Sequence, residues 1–367
     1  MKEKMMTRNI AIIGGGIVGA TAAYYLSRNG HQVTVFDEGT GQATSAAAGI
    51  ICPWLSKRRN KKWYRLASEG AAFYKQLCKD VQEDGGDASF YTVSGAVLLK
   101  KTAKATQEQY EIGLKRREDA PEIGDLKILS KEELTTLLPS IQTQENALYV
   151  AGGARLDGDA MVRELLTLVK KAGGEVVRKW QPVDSSLLET YDSVVLATGA
   201  WLPQTLEPLG YEVAIRGQKG QLVVLQTGDY ENEKLPVIMP EGEIDIIPVG
   251  NGKVFVGATH ENDLGYDLTV SPDIIANLLA QGETLFTGLE GAETIAVKVG
   301  TRAYTPDFSP FFGYVPGSTQ LLAASGLGSS GLTTGPLIGY QLARLAAGEA
   351  STLPLEDYSP AAYITSK

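Results

Sequence analysis

Cysteine and histidine are nearly missing from this chain, with two of each in 367 residues. Cys52 and Cys78 cannot build a disulfide framework and suit a reducing cytoplasm. His31 and His260 are too few for a multi-ligand zinc site. Basic charge is also in deficit: 34 Lys and Arg stand against 43 Asp and Glu, a formal net charge of −9. That balance argues against nucleic acid as the main partner. No uninterrupted apolar run approaches the roughly 20 residues of a membrane-spanning helix. The start, MKEKMMTRN, is charged and then apolar, as in a signal peptide. Four glycines (Gly14, Gly15, Gly16 and Gly19) break the apolar part, however, and no separate cleavage site follows. The stretch reads instead as the first strand and helix of a fold. The length suffices for a large core divided between two domains.

Glycine is plentiful, and its first cluster is the most informative. In NIAIIGGGIVGATAAYYLSRNG, the apolar run Ile10 to Ile13 suits a buried parallel strand and ends at Gly14. Gly14, Gly16 and Gly19 then have the G-x-G-x-x-G spacing, with a helix expected from about Ile17 to Arg28. The three glycines serve a tight turn, close approach of backbone to a pyrophosphate, and close packing of helix on strand. The N–H groups of the helix start point at phosphates. Asn29–Gly30 ends the helix, and QVTVFDEG reads as a second strand closing at Asp37 and Glu38. Asp37 stands near the spacing expected of a carboxylate that binds ribose hydroxyls. The loop holds a dinucleotide; FAD and NAD both fit at this point.

A nicotinamide enzyme would usually continue with strand–helix units in series, and this chain does not. After GTGQATSAAAGI comes an amphipathic helix from about Trp63 to Val81, then a strand in SGAVLLKKT and a polar segment to about Asn146. RLDGDAMVRELLTLVKKAGGEVV resumes the strand–helix style, with Asp157 or Asp159 as cap and Gly173 as terminator. SVVLATGAWL supplies an apolar strand ending at Thr198–Gly199, and GNG makes a hairpin between DIIPV and KVFVG. GLGSSGLTTGPLIGYQLARLAAG is a second glycine-rich loop running into a helix, with Pro336 in its first turn and Gly348 at its end.

Arg302, in VGTRAYTPDFSPFFG, lies in an apolar, proline-rich context where an unpaired guanidinium is costly. Its planar fork matches a carboxylate. That carboxylate is either a substrate's or the structural Asp307. The run KRRNKKWYR, Lys57 to Arg65, suits a polyanion or membrane surface, or a solvated loop and helix start. His260 follows a strand and faces an active site or solvent.

In order, IAIIGGGIVGATAAYYL, TSAAAGI, VVLATGAW, VGTRAYTPDFSPFFG and GLGSSGLTTGP resemble the D-amino-acid oxidase superfamily of flavoenzymes, closest to its glycine oxidase and sarcosine oxidase branch. The resemblance covers nearly the whole chain. It implies an α/β fold in which an FAD-binding Rossmann-type (GR2-like) domain is interleaved with an α+β substrate domain built on a mostly antiparallel sheet. Residues 1–79, 149–215 and 300–367 would form the FAD-binding domain, and 80–148 and 216–299 the substrate domain. It also implies that Thr44, Ser45, Ala48, Gly49 and Ile50 line the flavin and its pyrophosphate, and that Val183 meets the adenine through its backbone. Arg302 would hold the substrate carboxylate, and Leu327, Gly328, Ser330, Gly331, Leu332 and Thr333 would approach the pyrimidine side of the flavin.

The chain departs from that branch in three places. Asp245 stands where the glycine oxidases have a tyrosine that reaches the substrate, and Ser329 where they have an arginine; both are candidate substrate contacts, Asp245 as a partner of a substrate ammonium or else a solvated edge-strand acid. Neither cysteine lies near TRAYTPD, the site of the flavin-linking cysteine in sarcosine oxidases, so FAD is expected to be noncovalent. The implied reaction is oxidative deamination of a small amino acid or N-alkyl amino acid by hydride transfer to flavin N5, followed by reoxidation by oxygen to give peroxide. The alternatives are a D-amino-acid dehydrogenase feeding a quinone or carrier, a tRNA-modifying flavin oxidase module, and a module that binds FAD without turnover. A homo-oligomer is allowed but not specified.

Overall fold

A computed structural model describes residues 6–41, 43–143, 146–228, 232–242 and 244–367. The leading residues 1–5 and Gln42, which fall in stretches read above, lie outside the described residues.

The strand Asn9–Ile13 is buried and pairs in parallel with Gln32–Phe36 on one side and Ser193–Leu196 on the other. Leu321–Ser325 and Glu175–Val177 extend this sheet in parallel, and Phe311–Tyr314 closes one edge antiparallel, giving six strands. The first helix, Ile17–Arg28, is buried along almost its whole length between this sheet and other helices, so its residues are small or apolar all round. Two later helices pack with it: Gly158–Lys171, capped by the Asp157 carboxylate, and Gly331–Ala346 near the C-terminus.

A second sheet has eight strands, in the order Glu293–Tyr304, Arg216–Gln226, Lys253–Gly257, Asp245–Gly250, Val237–Met239, Ala96–Lys100, Asn146–Val150 and Leu126–Leu129. All its pairings are antiparallel except that between Val237–Met239 and Ala96–Lys100. Asn251 and Gly252 both have positive φ, which gives the expected hairpin a twist that matches its strands. The Arg216–Gln226 and Glu293–Tyr304 strands pair along their full lengths, so an edge at 299/300 falls inside a continuous strand, and Arg302 belongs to the eight-stranded sheet. The C-terminal Ile364–Ser366 pairs with Tyr211–Val213, and Tyr358 donates to Lys62 O, tying the tail down.

Two sequence expectations change. The polar segment before Asn146 contains the helices Ala103–Arg117 and Lys131–Leu137 with a strand between them. The longer helix buries Thr106, Gln109 and Gly113 rather than large apolar residues, so it leaves no hydrophobic period in the sequence. Pro336 is not in the first turn of its helix: the helix begins five residues earlier at Gly331. A proline inside a helix frees the carbonyl four residues back. Here that is Leu332 O, and the buried Tyr74 hydroxyl donates to it.

The first and C-terminal helices approach through glycine. A Cβ on Gly339 would stand 2.5 Å from Val18 O, and one on Gly335 2.6 Å from Ile17 Cγ2. Gly339→Val is expected to destabilise the fold by about 1–3 kcal/mol or more through overpacking. Urea unfolding compared with the parent protein checks this.

Candidate active site

The site begins at the end of the first strand. Gly14 has φ +98, and a Cβ there would lie 2.4 Å from Ala197 O, so only glycine allows the chain to turn beside the neighbouring strand. A Cβ on Gly19 would meet Gly14 O at 1.8 Å, so the helix rests directly on the turn. The helix has no side-chain cap on Gly16; Thr44, from the following loop, accepts from Ile17 N–H at 3.0 Å. The other first-turn amides are orphan donors at the positive end of the dipole. Asp37 ends the second strand, and its carboxylate accepts from Gly15 N–H at 2.9 Å and Gly39 N–H at 2.7 Å.

These groups open onto a cavity of about 910 Å³ at the carboxyl ends of the parallel strands, where the connections from the first strand and from Ser193–Leu196 diverge. Of the residues expected at the cofactor, Gly14, Gly16, Ile17, Val18, Asp37, Glu38, Thr44, Ser45, Ala48, Gly49, Ile50, Thr198 and Gly199 line it, as do Leu327, Gly328, Ser330, Gly331, Leu332 and Thr333. Gly19 and Val183 do not. Gly19 is used up in packing, and Val183 is buried in the core around Phe36 and Leu187. The C-terminal helix also starts here, at Gly331, without a side-chain cap, so two uncapped helix starts meet one cavity.

The eight-stranded sheet supplies the opposite wall. Lys298, Gly300 and Arg302 alternate onto one face of their strand and all three line the cavity. Arg302 Nη1 donates to Gln218 Oε1 at 3.0 Å and to Thr259 O at 2.7 Å. Both partners are neutral, and no carboxylate ion-pairs with Arg302 among the described residues. Asp307 is taken up elsewhere, by the Tyr363 hydroxyl and Ser309 N–H, which removes the structural alternative from the sequence. Burial lowers the Arg302 pKa, against the opposing fields of Tyr304 and Glu261. Gly220 makes room for the guanidinium: a Cβ there would lie 2.7 Å from Nη1.

Asp245 lies on an internal strand of this sheet, not on an edge, and lines the same cavity. Its carboxylate has no hydrogen-bond or ion-pair partner among the described residues, and burial pushes its pKa up to about 7. Ser329 also lines the cavity, where its N–H donates to the Tyr304 hydroxyl at 3.1 Å. His260 lines the cavity from an exposed position.

Several lining residues carried no functional signal in the sequence. Trp63, read only as an apolar helix position, donates from Nε1 to Ser330 Oγ at 3.2 Å. Lys298 donates to Ser45 O at 2.9 Å; its place four residues before Arg302 in a strand was the available clue. Cys52, remote in sequence from the arginine motif, also reaches the cavity. The basic run is largely absorbed by its neighbours: Lys57 pairs with Glu108, Lys62 with Asp357 and Arg65 with Glu69, while Arg58 lies over the Trp63 ring.

The DAO family profile, described as FAD dependent oxidoreductase, matches residues 9–345. The chain belongs to the DAO family. Curated relatives include an uncharacterized oxidoreductase, YurR, of Bacillus subtilis strain 168, 39% identical and covering 96% of this chain and 99% of its own. A glycine oxidase of Pseudomonas putida KT2440 is 26% identical, covering 97% and 99%. Among solved structures, the iminodiacetate oxidase IdaA from Chelativorans sp. BNC1 superimposes with a TM-score of 0.89 at 31% identity, covering 96% of this chain and 99% of that one.

As a DAO protein, the chain is an FAD-dependent oxidoreductase. The residues present fit FAD. The uncapped start of the first helix faces the cavity with free amide donors, and Asp37 stands where the second strand ends. The helix start at Gly331 offers a second positive dipole end to anionic charge. Among the described residues no helix is long and apolar enough to cross a membrane.

Gly220→Ala is expected to push the Arg302 guanidinium off Gln218 and Thr259 while leaving FAD retention intact. Measured on the FAD-loaded protein, the dissociation constant of a simple carboxylate should rise about tenfold or more, the loss of one charge-assisted hydrogen bond of roughly 1.5–3 kcal/mol.

Proposed function

We propose that this DAO protein oxidises the carbon–nitrogen bond of a small amino acid or N-alkyl amino acid held by its carboxylate on Arg302. One observation carries the reading: Arg302 is a largely buried cation, held only by neutral groups, in the wall of the dinucleotide cavity. A buried guanidinium without a counter-charge is costly, and a planar carboxylate ligand completes it through two parallel hydrogen bonds. The names of two relatives, glycine oxidase and iminodiacetate oxidase, point to substrates of this type.

FAD, when bound, supplies the two-electron acceptor for the hydride that leaves the α-carbon. The protein's part is positioning. Gln218 and Thr259 fix the guanidinium, and the guanidinium fixes the carboxylate and hence the α-carbon. The substrate amine must be neutral for hydride to leave, so reduction accelerates as pH rises until the amine is deprotonated. The imine formed hydrolyses to an oxo acid, and oxygen takes the electrons to give peroxide. FAD is held noncovalently in this reading: burial pushes the Cys52 thiol up to about 12, which leaves it protonated and unreactive. Two free cysteines fit a reducing, cytoplasmic setting.

The test is the visible spectrum of the FAD-loaded protein, mixed without oxygen with glycine, sarcosine, D-alanine, proline and iminodiacetate in turn. At least one is expected to bleach the flavin band, and readmitted air to restore it. Bleaching that persists in air would favour the dehydrogenase alternative. A band that none of them bleaches would contradict the substrate class.

A further inference from the structure

We propose that Asp245 is the group that takes the proton from the substrate ammonium before oxidation. The inference rests on the substrate class proposed above and goes one step further into the same site.

The geometry starts from sheet register. Asp245 pairs with Gly257, Gly257 with Leu222, and Leu222 with Lys298. Directly opposed residues of antiparallel strands share a face, and residues two and four apart do so along a strand. Asp245, Lys298 and Arg302 therefore project from one face of the sheet, and all three line one cavity. The irregularities in these pairings fall outside the stretches used, at Val224/Leu225 and Pro248/Gly250. Among the described residues, Asp245 is the only carboxylate that this sheet contributes to the cavity. Asp245 stands three strands from Lys298, with Arg302 four residues further along, so a zwitterion whose carboxylate lies on Arg302 must direct its ammonium across this sheet face to meet Asp245.

Asp245 is also unoccupied by other work. Nothing in the described protein hydrogen-bonds or ion-pairs with it. The charged and titratable groups sharing its cavity are Lys298 and Arg302 on the same sheet, His260 on the loop after Lys253–Gly257, Cys52, and Asp37, Glu38, Asp159, Arg178 and Lys179 from the dinucleotide side. The shift of Asp245 comes from burial alone, which raises its pKa to about 7. A carboxylate of that basicity is matched to proton transfer near neutral pH. In the step itself one N–H bond of the ammonium breaks and its electron pair stays on nitrogen. The proton bonds to a carboxylate oxygen of Asp245, so a charged pair becomes a neutral amine and a neutral acid, with no change of oxidation state. The amine lone pair then supports loss of hydride from the α-carbon to FAD. A tyrosine, ordinarily protonated at neutral pH, would not accept this proton.

The experiment compares wild type, Asp245→Asn and Asp245→Glu as FAD-loaded proteins, using whichever of the five compounds reduces the wild type. Below pH 7 the wild-type reduction rate should fall tenfold per pH unit, because Asp245 must be ionised to act. Wild type should level off above pH 7, whereas Asp245→Asn should be at least tenfold slower at pH 7.5 and keep rising tenfold per pH unit up to the ammonium's own solution pKa. Asp245→Glu should restore the levelling near neutral pH. A readout without turnover is acetate binding by flavin difference spectra. In wild type, acetate should bind more weakly as pH rises through 7 and a second anion appears in the cavity; in Asp245→Asn the profile should be flat. A rate that levels off at the same pH in wild type and Asp245→Asn, or a flat acetate profile in wild type, would overturn the proposal. Failure of all five compounds to reduce the wild type would refute the substrate class instead, and the acetate profile would still decide whether Asp245 titrates into the cavity.

Discussion

Two helices touch through glycine, and that contact sets the geometry of the site. The first helix and the C-terminal helix meet with Gly335 against Ile17 and Gly339 against Val18 and Ala22, where any Cβ would collide with backbone or a buried side chain. Contacts that advance in the same direction along both helices mean that they run side by side and start at the same end. Neither start is capped by its own N-cap side chain, and both open on the same cavity. Orphan amide donors and two positive dipole ends thus converge where an anionic dinucleotide has most to gain. The strain of an uncapped helix start, ordinarily a loss of about 1 kcal/mol, becomes binding capacity when a ligand completes it.

The other wall works through register. Because side chains alternate strictly along a strand, a shift of one residue in the pairing of Arg216–Gln226 with Glu293–Tyr304 would turn Arg302 away from the cavity. Gly220, beside the guanidinium, and Gln218, opposite Arg302 in register, secure its place in that pairing. The result is a largely buried cation hydrogen-bonded only to neutral groups, with the Glu261 carboxylate acting through its field rather than as an ion-pair partner. An ion pair with Asp307 would have been self-sufficient and left no reason to bind an anion. Asp245 has the complementary status: a half-buried acid with no donor among the described residues. The zwitterionic substrate proposed above matches this pair of opposite charges on one sheet face.

The dinucleotide half was legible from the sequence because its constraints are local. Turn glycines, the helix that follows them, and the acid at the next strand end all lie within about thirty residues, and each is dictated by backbone geometry. Arg302 stood out because its apolar context made an unpaired charge costly. What escaped notice depended on long-range register or on packing without large apolar residues. Lys298 reaches the cavity through a sheet pairing that local pattern does not reveal, and Asp245 was visible only through the family resemblance. The helix Ala103–Arg117 hides its buried face behind Thr106, Gln109 and Gly113. Pro336 looked like a helix start because a first-turn proline is common, and the Tyr74 hydroxyl that makes an interior proline tolerable comes from a helix some 260 residues away in sequence.

The central claim is that Arg302 is an anion-binding group held ready by neutral partners. The most direct test is the dissociation constant of acetate for the FAD-loaded protein and for Arg302→Met, at a pH below 7 where Asp245 is protonated. A saturable site in the parent, weakened about a hundredfold in the variant while FAD stays bound, is the expected result, corresponding to the roughly 2–5 kcal/mol of a buried charge pair. Equal affinity in both proteins would contradict the account, because the guanidinium would then be a structural charge with no ligand.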